Sequence, residues 1–198
     1  TTTEVACDSF DWNGTTYDSS GTYSYNTSEG SNNNSMSFDG VDDYVNVGIN
    51  SNLDLSNNFT LSADVKLFSN NNLSSPIINN GISGQSCASY TLSIDANNRI
   101  ELGAKDGSIG PNCGVGLNLV DDSDIFSNSS IQDSNWVTIT AVYLGSEVRF
   151  YIDGNLDVIV ATNNFDPYTP VNPLLIGKED GYSRIFNGNL DNIQIWNK

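Results

Sequence analysis

Histidine is absent from this 198-residue chain, and cations are scarce: seven lysines and arginines stand against 24 aspartates and glutamates, for a formal net charge of −17. Without histidine neither a Ser-His-Asp triad nor a Cys-His pair can be assembled, and a zinc centre loses its commonest nitrogen ligand. With so few cations there is no basic patch to neutralise phosphates, which argues against nucleic acid and against anionic membrane surfaces as partners. Cysteine is limited to Cys7, Cys87 and Cys113, set among turn residues with no Cys-x-x-Cys spacing, so no redox motif is expected. Three cysteines allow at most one internal disulfide. The segment between Cys87 and Cys113 reads as a hairpin whose arms could bring the two together, so that bridge is expected, with three free thiols as the alternative. Long apolar runs are missing too, and the chain opens without a charged-then-apolar leader, so a mature fragment with no transmembrane helix is expected. No window sustains apolar spacing at three and four residues, which predicts almost no helix.

What is present is alternation. Short apolar-polar runs are separated by clusters of Asn, Gly, Asp and Ser, the period-two pattern of half-buried strands. Phe59, Leu61, Ala63, Val65 and Leu67 share one face of a strand over 59–68, with Thr60, Ser62, Asp64 and Lys66 on the other. Residues 90–95 and 99–104 read as a hairpin turning at Ala96-Asn97-Asn98. Residues 148–160 read as another, turning at Asp153-Gly154-Asn155, where glycine supplies a positive φ. Trp136, Ile139 and Val142 fit no single alternation, which predicts a bulge or burial on both faces. Residues 163–173 carry three of the five prolines and should form a surface loop, followed by a buried strand at Pro173–Gly177.

The acidic groups are scattered among polar residues, as on a solvated surface, and a diffuse negative field attracts hard cations. Glutamate occurs only at 4, 29, 101, 147 and 179, and none pairs with another acid at two-residue spacing on a predicted strand. Glu101-Leu-Gly-Ala-Lys-Asp106 comes nearest to a pair of catalytic carboxylates and lacks the spacing, so the chain is expected not to be an enzyme.

Three segments in order carry a resemblance: Ser35-Met-Ser-Phe-Asp-Gly-Val-Asp-Asp-Tyr-Val-Asn-Val-Gly48; Asn135–Tyr143 with Val148–Asn155; and Phe186-Asn-Gly-Asn-Leu-Asp-Asn-Ile-Gln-Ile-Trp196. Over roughly Ser35 to Lys198 the chain resembles a laminin-G-like, concanavalin-A-type jelly-roll domain. The resemblance implies an all-β, two-sheet antiparallel sandwich and an extracellular recognition role. Residues 1–34 differ in character. Ala6–Tyr25, with Cys7-Asp-Ser, Trp12-Asn-Gly-Thr-Thr-Tyr17 and Gly21-Thr-Tyr23, is similar to a short repeat found between modules of very large surface proteins of Bacteroidetes bacteria. Where that repeat usually continues with Gly-Cys-Asp, this chain has Glu29–Asn34, so Cys7 lacks the mate the family would supply. A linker with a hairpin at Asn13-Gly14 is the expectation. An aromatic binding strip of Trp12, Tyr17, Tyr23 and Tyr25 is the functional alternative.

Domains of the resembled type often hold a structural calcium where first and last strands meet. Here that implies Asp39 and Asp42, with Asp43 beside them, approached by Asp191 if the ends pair antiparallel. Calcium takes six to eight oxygen ligands, and the like charges would oppose folding without it. Alternatively Asp39 and Asp42 simply make side-chain-to-backbone turn bonds. A ligand, glycan or cell-surface glycoprotein, is expected at the loop rim formed by 79–85, 105–111 and 178–184, with Tyr182 and Arg184 as anchors. A spacer domain in a long adhesin is the competing reading.

Overall fold

The computed structural model describes residues 35–55, 58–69, 74–82, 87–104, 124–162, 173–179 and 183–197, with the strand backbone of residues 10–12 and 15–17. The chain divides into two compact units, Thr1–Asn34 and Ser35–Lys198. In the first, β1 (Phe10–Trp12) and β2 (Thr15–Tyr17) form an antiparallel ladder with Trp12 opposite Thr15. The two intervening residues are Asn13-Gly14, the pair that a tight hairpin favours. Cys7, Tyr23 and Tyr25 lie outside the described residues.

The second unit is the expected all-β sandwich. Its strands are β3 (Met36–Asp39), β4 (Val45–Gly48), β5 (Asn58–Leu67), β6 (Ser75–Ile82), β7 (Cys87–Ile94), β8 (Arg99–Ala104), β9 (Ile125–Ser130), β10 (Val137–Leu144), β11 (Glu147–Ile152), β12 (Asn155–Ala161), β13 (Leu174–Ile176) and β14 (Asn187–Asn197). One six-stranded sheet runs β12-β11-β10-β5-β14-β3 and the other β4-β13-β6-β7-β8-β9. Among the described residues the helical content is one 3-10 turn, Ser51–Leu53.

Alternation decides which faces meet. In β5 every second residue from Phe59 to Leu67 is buried, and in β10 Val137, Ile139, Ala141 and Tyr143 are. These pack against Leu92, Ile94, Ile100 and Leu102 of the other sheet in one continuous core. Phe59 sits at its centre, with ring centroids 5.1 Å from Tyr143 and 6.1 Å from Tyr90. Burying rings of this size contributes roughly 1.5–3 kcal/mol each.

The strand over 137–144 departs from expectation. It alternates cleanly without a bulge, because Trp136 precedes the strand, 46 % exposed, and Val142 lies on the outer face. The β11-β12 hairpin turns on Asp153 (φ 50°) and Gly154 (φ 73°), a two-residue turn with Asn155 already in β12. A register shift between Phe150 and Tyr151 puts an irregularity in that hairpin instead. Residues 163–172, the proline-rich loop, lie outside the described residues, while Leu174–Ile176 is the buried strand anticipated there.

The two long edges of the sandwich close by different means. At one, β12 approaches β9, and the Asp157 carboxylate accepts from the backbone N–H of Asn128 (2.6 Å) and of Ser129 (3.2 Å). At the other, the chain crosses directly from β3 to β4 through residues 40–44. There β14 is laid between β3 and β5, so closely that a Cβ on Gly188 would collide with the Lys66 carbonyl oxygen.

Candidate cation site at the crossover and the loop rim

The crossover concentrates charge. Asp39 ends β3, Gly40 turns with φ +78°, and Asp42 and Asp43 follow before Tyr44 leads into β4. All three aspartates are exposed, and one carboxylate oxygen of each lies within 4.8 Å of the others. Two turn bonds shape the loop: Val41 N–H donates to Asp39 Oδ1 (2.8 Å) and Asp39 N–H donates to Asp43 Oδ2 (3.1 Å). The turn reading thus holds for Asp39, with Asp43 in place of the expected Asp42, and it is compatible with a cation because these bonds use one oxygen of Asp39 and one of Asp43. At such spacing each pair of charges repels by roughly 1 kcal/mol even in bulk water. The ion pairs of the described residues lie elsewhere, at Asp95–Arg99, Glu147–Arg149 and Glu179–Arg184. Beside the crossover, Lys178 Nζ sits 4.3 Å from the centroid of the Tyr44 ring. A compact set of hard carboxylate oxygens suits calcium and not a soft metal.

Asp191 is not part of this set. β14 does pair antiparallel with β3, but the register puts Asn187 opposite Asp39 and Leu190 opposite Met36. Asp191 is therefore displaced from Asp39 by the length of β3, about 13 Å at ~3.3 Å per residue. It stands opposite Asp64 of β5, and its Oδ1 accepts from Asn192 N–H (2.8 Å). The expected approach of Asp191 to the 39–40 turn is thereby corrected. Pairing direction was readable from the segments; register was not.

Of the rim, residues 105–111 and Tyr182 lie outside the described residues. Asn79 to Ile82, taken as loop, belong to β6; Asn79 and Asn80 are buried, and the Asn80 side chain hydrogen-bonds the Tyr90 hydroxyl, whose hydrogen goes to the Leu53 carbonyl (2.8 Å). Lys178 and Ile185 bridge as the stem of the next loop, with Glu179 N–H donating to the Arg184 carbonyl (3.1 Å). Arg184 Nη1 donates to Glu179 Oε2 (3.0 Å). Burial raises the Glu179 pKa; the Arg184 charge and hydrogen bond oppose this, and the Glu101 charge adds to it, for a net rise. Glu101 in turn accepts from Ser74 Oγ and Ser93 Oγ, both at 2.8 Å. Cys87 opens β7, and Cys113 lies outside the described residues.

Two carboxylates that the sequence did not single out are well satisfied. Asp95 accepts from the backbone N–H groups of Asn97 and Arg99 and from the Arg99 guanidinium at 2.6 Å. Burial pushes its pKa up, these donors more than reverse that, and the result lies below the usual carboxylate range. An Asp preceding a polar turn, with Arg four residues on, was a readable signal of this. Asp157 likewise ends below the ordinary value, burial being outweighed by its Ser129 and Asn128 donors. No local pattern announces it, because its partners are on a distant strand.

Fold and crossover define the chain's second unit as a lectin-like jelly-roll sandwich. The chain belongs to the concanavalin A-like lectin/glucanases superfamily, whose family model matches residues 39–198. Solved structures of similar fold include a putative carbohydrate binding protein from Bacteroides ovatus (14 % identity, 82 % of this chain and 42 % of that one, TM-score 0.58) and domains LG4-5 of the mouse laminin alpha1 chain (13 %, 81 % and 40 %, TM-score 0.55). A third is the CBM40 of a Ruminococcus gnavus IT-sialidase bound to alpha2,3 sialyllactose (13 %, 82 % and 90 %, TM-score 0.57). The chain spans about two fifths of the length of the first two. No curated protein matches it.

Proposed function

We propose that the chain is a non-catalytic recognition module of a large extracellular, cell-surface protein, stabilised by calcium at the β3–β4 crossover and directed at a glycan or glycoprotein. The observation that carries this reading is the carboxylate triad of Asp39, Asp42 and Asp43, drawn together where the chain passes between sheets. These residues would hold the ion, with Asp191 excluded by register. Calcium there would cancel the mutual repulsion and fix the crossover from which β4 and the neighbouring Lys178–Arg184 stem depart. Support for a glycan comes from the similar fold of the Bacteroides ovatus carbohydrate binding protein and of the CBM40 module that holds sialyllactose. Support for an adhesin context comes from the repeat-like residues 6–25. Tyr182 and Arg184 remain the proposed rim anchors, Arg184 after exchange of part of its bond to Glu179. A glycan array probed with the full chain, once in calcium and once in chelator, tests the reading. Discrete sugar binding that weakens in chelator is expected; silence under both conditions would leave a spacer domain.

A further inference from the structure

The outer face of the sheet β12-β11-β10-β5-β14-β3 is not a uniform polar surface. Because Phe59 to Leu67 and Val137 to Tyr143 alternate into the core, the residues between them point out. Register then aligns rows across the sheet: Trp196 opposite Thr60, Thr60 opposite Val142, Val142 opposite Arg149; and in the next row Gln194 opposite Ser62, Ser62 opposite Thr140, Thr140 opposite Tyr151. The two central strands carry short side chains. Larger ones stand on both sides, Trp196 on β14 and, one row along, Tyr151 on β11, about 14 Å apart across the sheet and offset by about 7 Å along it. A shallow trough results, with a hydroxyl floor, an aromatic side chain on each wall, and Asp64 opposite Asp191 at one end.

The floor has a defined polarity. Ser62 Oγ donates to the Ile139 carbonyl (2.9 Å), so the 2.8 Å contact between Ser62 Oγ and Thr140 Oγ1 must use the threonine hydrogen. Thr140 Oγ1 is left with acceptor lone pairs facing out. Trp196 is 57 % exposed, its Nε1–H held by Gln194 Oε1 at 3.2 Å, and the Arg149 charge is neutralised by Glu147 at 2.6 Å.

We infer that this trough binds a neutral glycan chain, sugar rings lying against Trp196 and Tyr151 and hydroxyls donating to Thr140. The inference rests on the recognition-module reading but assigns a site away from the rim. Charge selects the occupant. Asp64 and Asp191 repel an acidic sugar, and Arg149 is already paired. A second copy of the chain is disfavoured by its own charge of −17 and by the row Thr60, Val142 and Arg149 that separates Trp196 from the exposed Ile159, leaving no continuous apolar patch.

The test is affinity electrophoresis of the full chain through gels containing xylan, mannan or laminarin, with polygalacturonate as the acidic control, alongside analytical ultracentrifugation. At least one neutral polysaccharide should retard the chain and polygalacturonate should not. Trp196→Ala and Tyr151→Ala should each weaken that retardation about tenfold, and Thr140→Val, which keeps shape and removes the acceptor, by several-fold. All three variants should keep the parent melting profile, since each side chain faces out. Retardation preserved in folded Trp196→Ala and Tyr151→Ala would overturn the trough and leave the module reading standing with its site elsewhere. No retardation by any neutral polysaccharide would overturn the trough and, with a silent array, the module reading too. Self-association lost in Trp196→Ala would replace the glycan with a second copy.

Discussion

The two edges of the sandwich solve one problem with the same residue type and opposite results. At the β9–β12 edge a single aspartate, Asp157, faces two backbone N–H groups that need acceptors, and its carboxylate is held below its ordinary pKa. At the β3–β4 edge three aspartates crowd one turn that supplies two donors. An aspartate surrounded by donors stabilises a fold in its charged form; aspartates that outnumber their donors burden it until a cation arrives. Function is more readily sought where the bonding is incomplete.

The comparison can be broken most severely where β14 joins the crossover edge. Gly188→Ala drives a Cβ against the Lys66 carbonyl and should cost about 3 kcal/mol, read by urea melts, with β3 losing amide protection first. An unchanged midpoint would mean that β14 shifts without penalty. Next is Asp157→Ala, which removes the acceptor of two N–H groups on an exposed edge and should cost about 1 kcal/mol. Because folding depresses the Asp157 pKa, its contribution is present above the unfolded value of 3.8 and lost as pH falls through the lower folded value, so the variant should show a shallower loss of stability in acid.

At the opposite edge the sign reverses. Asp42→Ala in chelator should raise stability, by roughly 0.5–1 kcal/mol from relieved repulsion, and should abolish any gain in melting temperature on adding calcium. Asp191→Ala should leave that gain intact, and its loss in Asp191→Ala would place the ion elsewhere. The smallest effect belongs to Glu179→Gln, below about 1 kcal/mol for a partly exposed pair. Folding raises the Glu179 pKa, so the parent chain gains stability as pH falls through that raised value toward 4.5, and the glutamine variant should lose this slope.

How far the sequence led is clearest from particular strands. β5 was legible to within one residue at each end because its five apolar positions alternate without interruption, and the Asp153-Gly154 turn because glycine marks it. β6 was not: Asn79-Asn80-Gly81 has the composition of a loop, and the Tyr90 hydroxyl that meets the Asn80 side chain inside the sheet is invisible to local pattern. Trp136 misled by its size, standing just outside the strand whose pattern it seemed to interrupt. For the site, crowding of Asp39, Asp42 and Asp43 was local and so readable. The place of Asp191 depended on the stagger of β14 against β3, where each residue of slip moves a carboxylate by about 3.3 Å, and periodicity carries no such information.

The position of β14 also orders events in time. It lies between β3 and β5, and among the described residues β3 pairs with no other strand. During synthesis the first strand of the sandwich therefore waits some 150 residues for its neighbour, a contact of very high sequence separation of the kind that slows folding. Until residues 187–190 arrive, the Met36–Asp39 ladder has no backbone partner and the crossover no fixed edge, so the charged turn is among the last parts of the molecule to take shape.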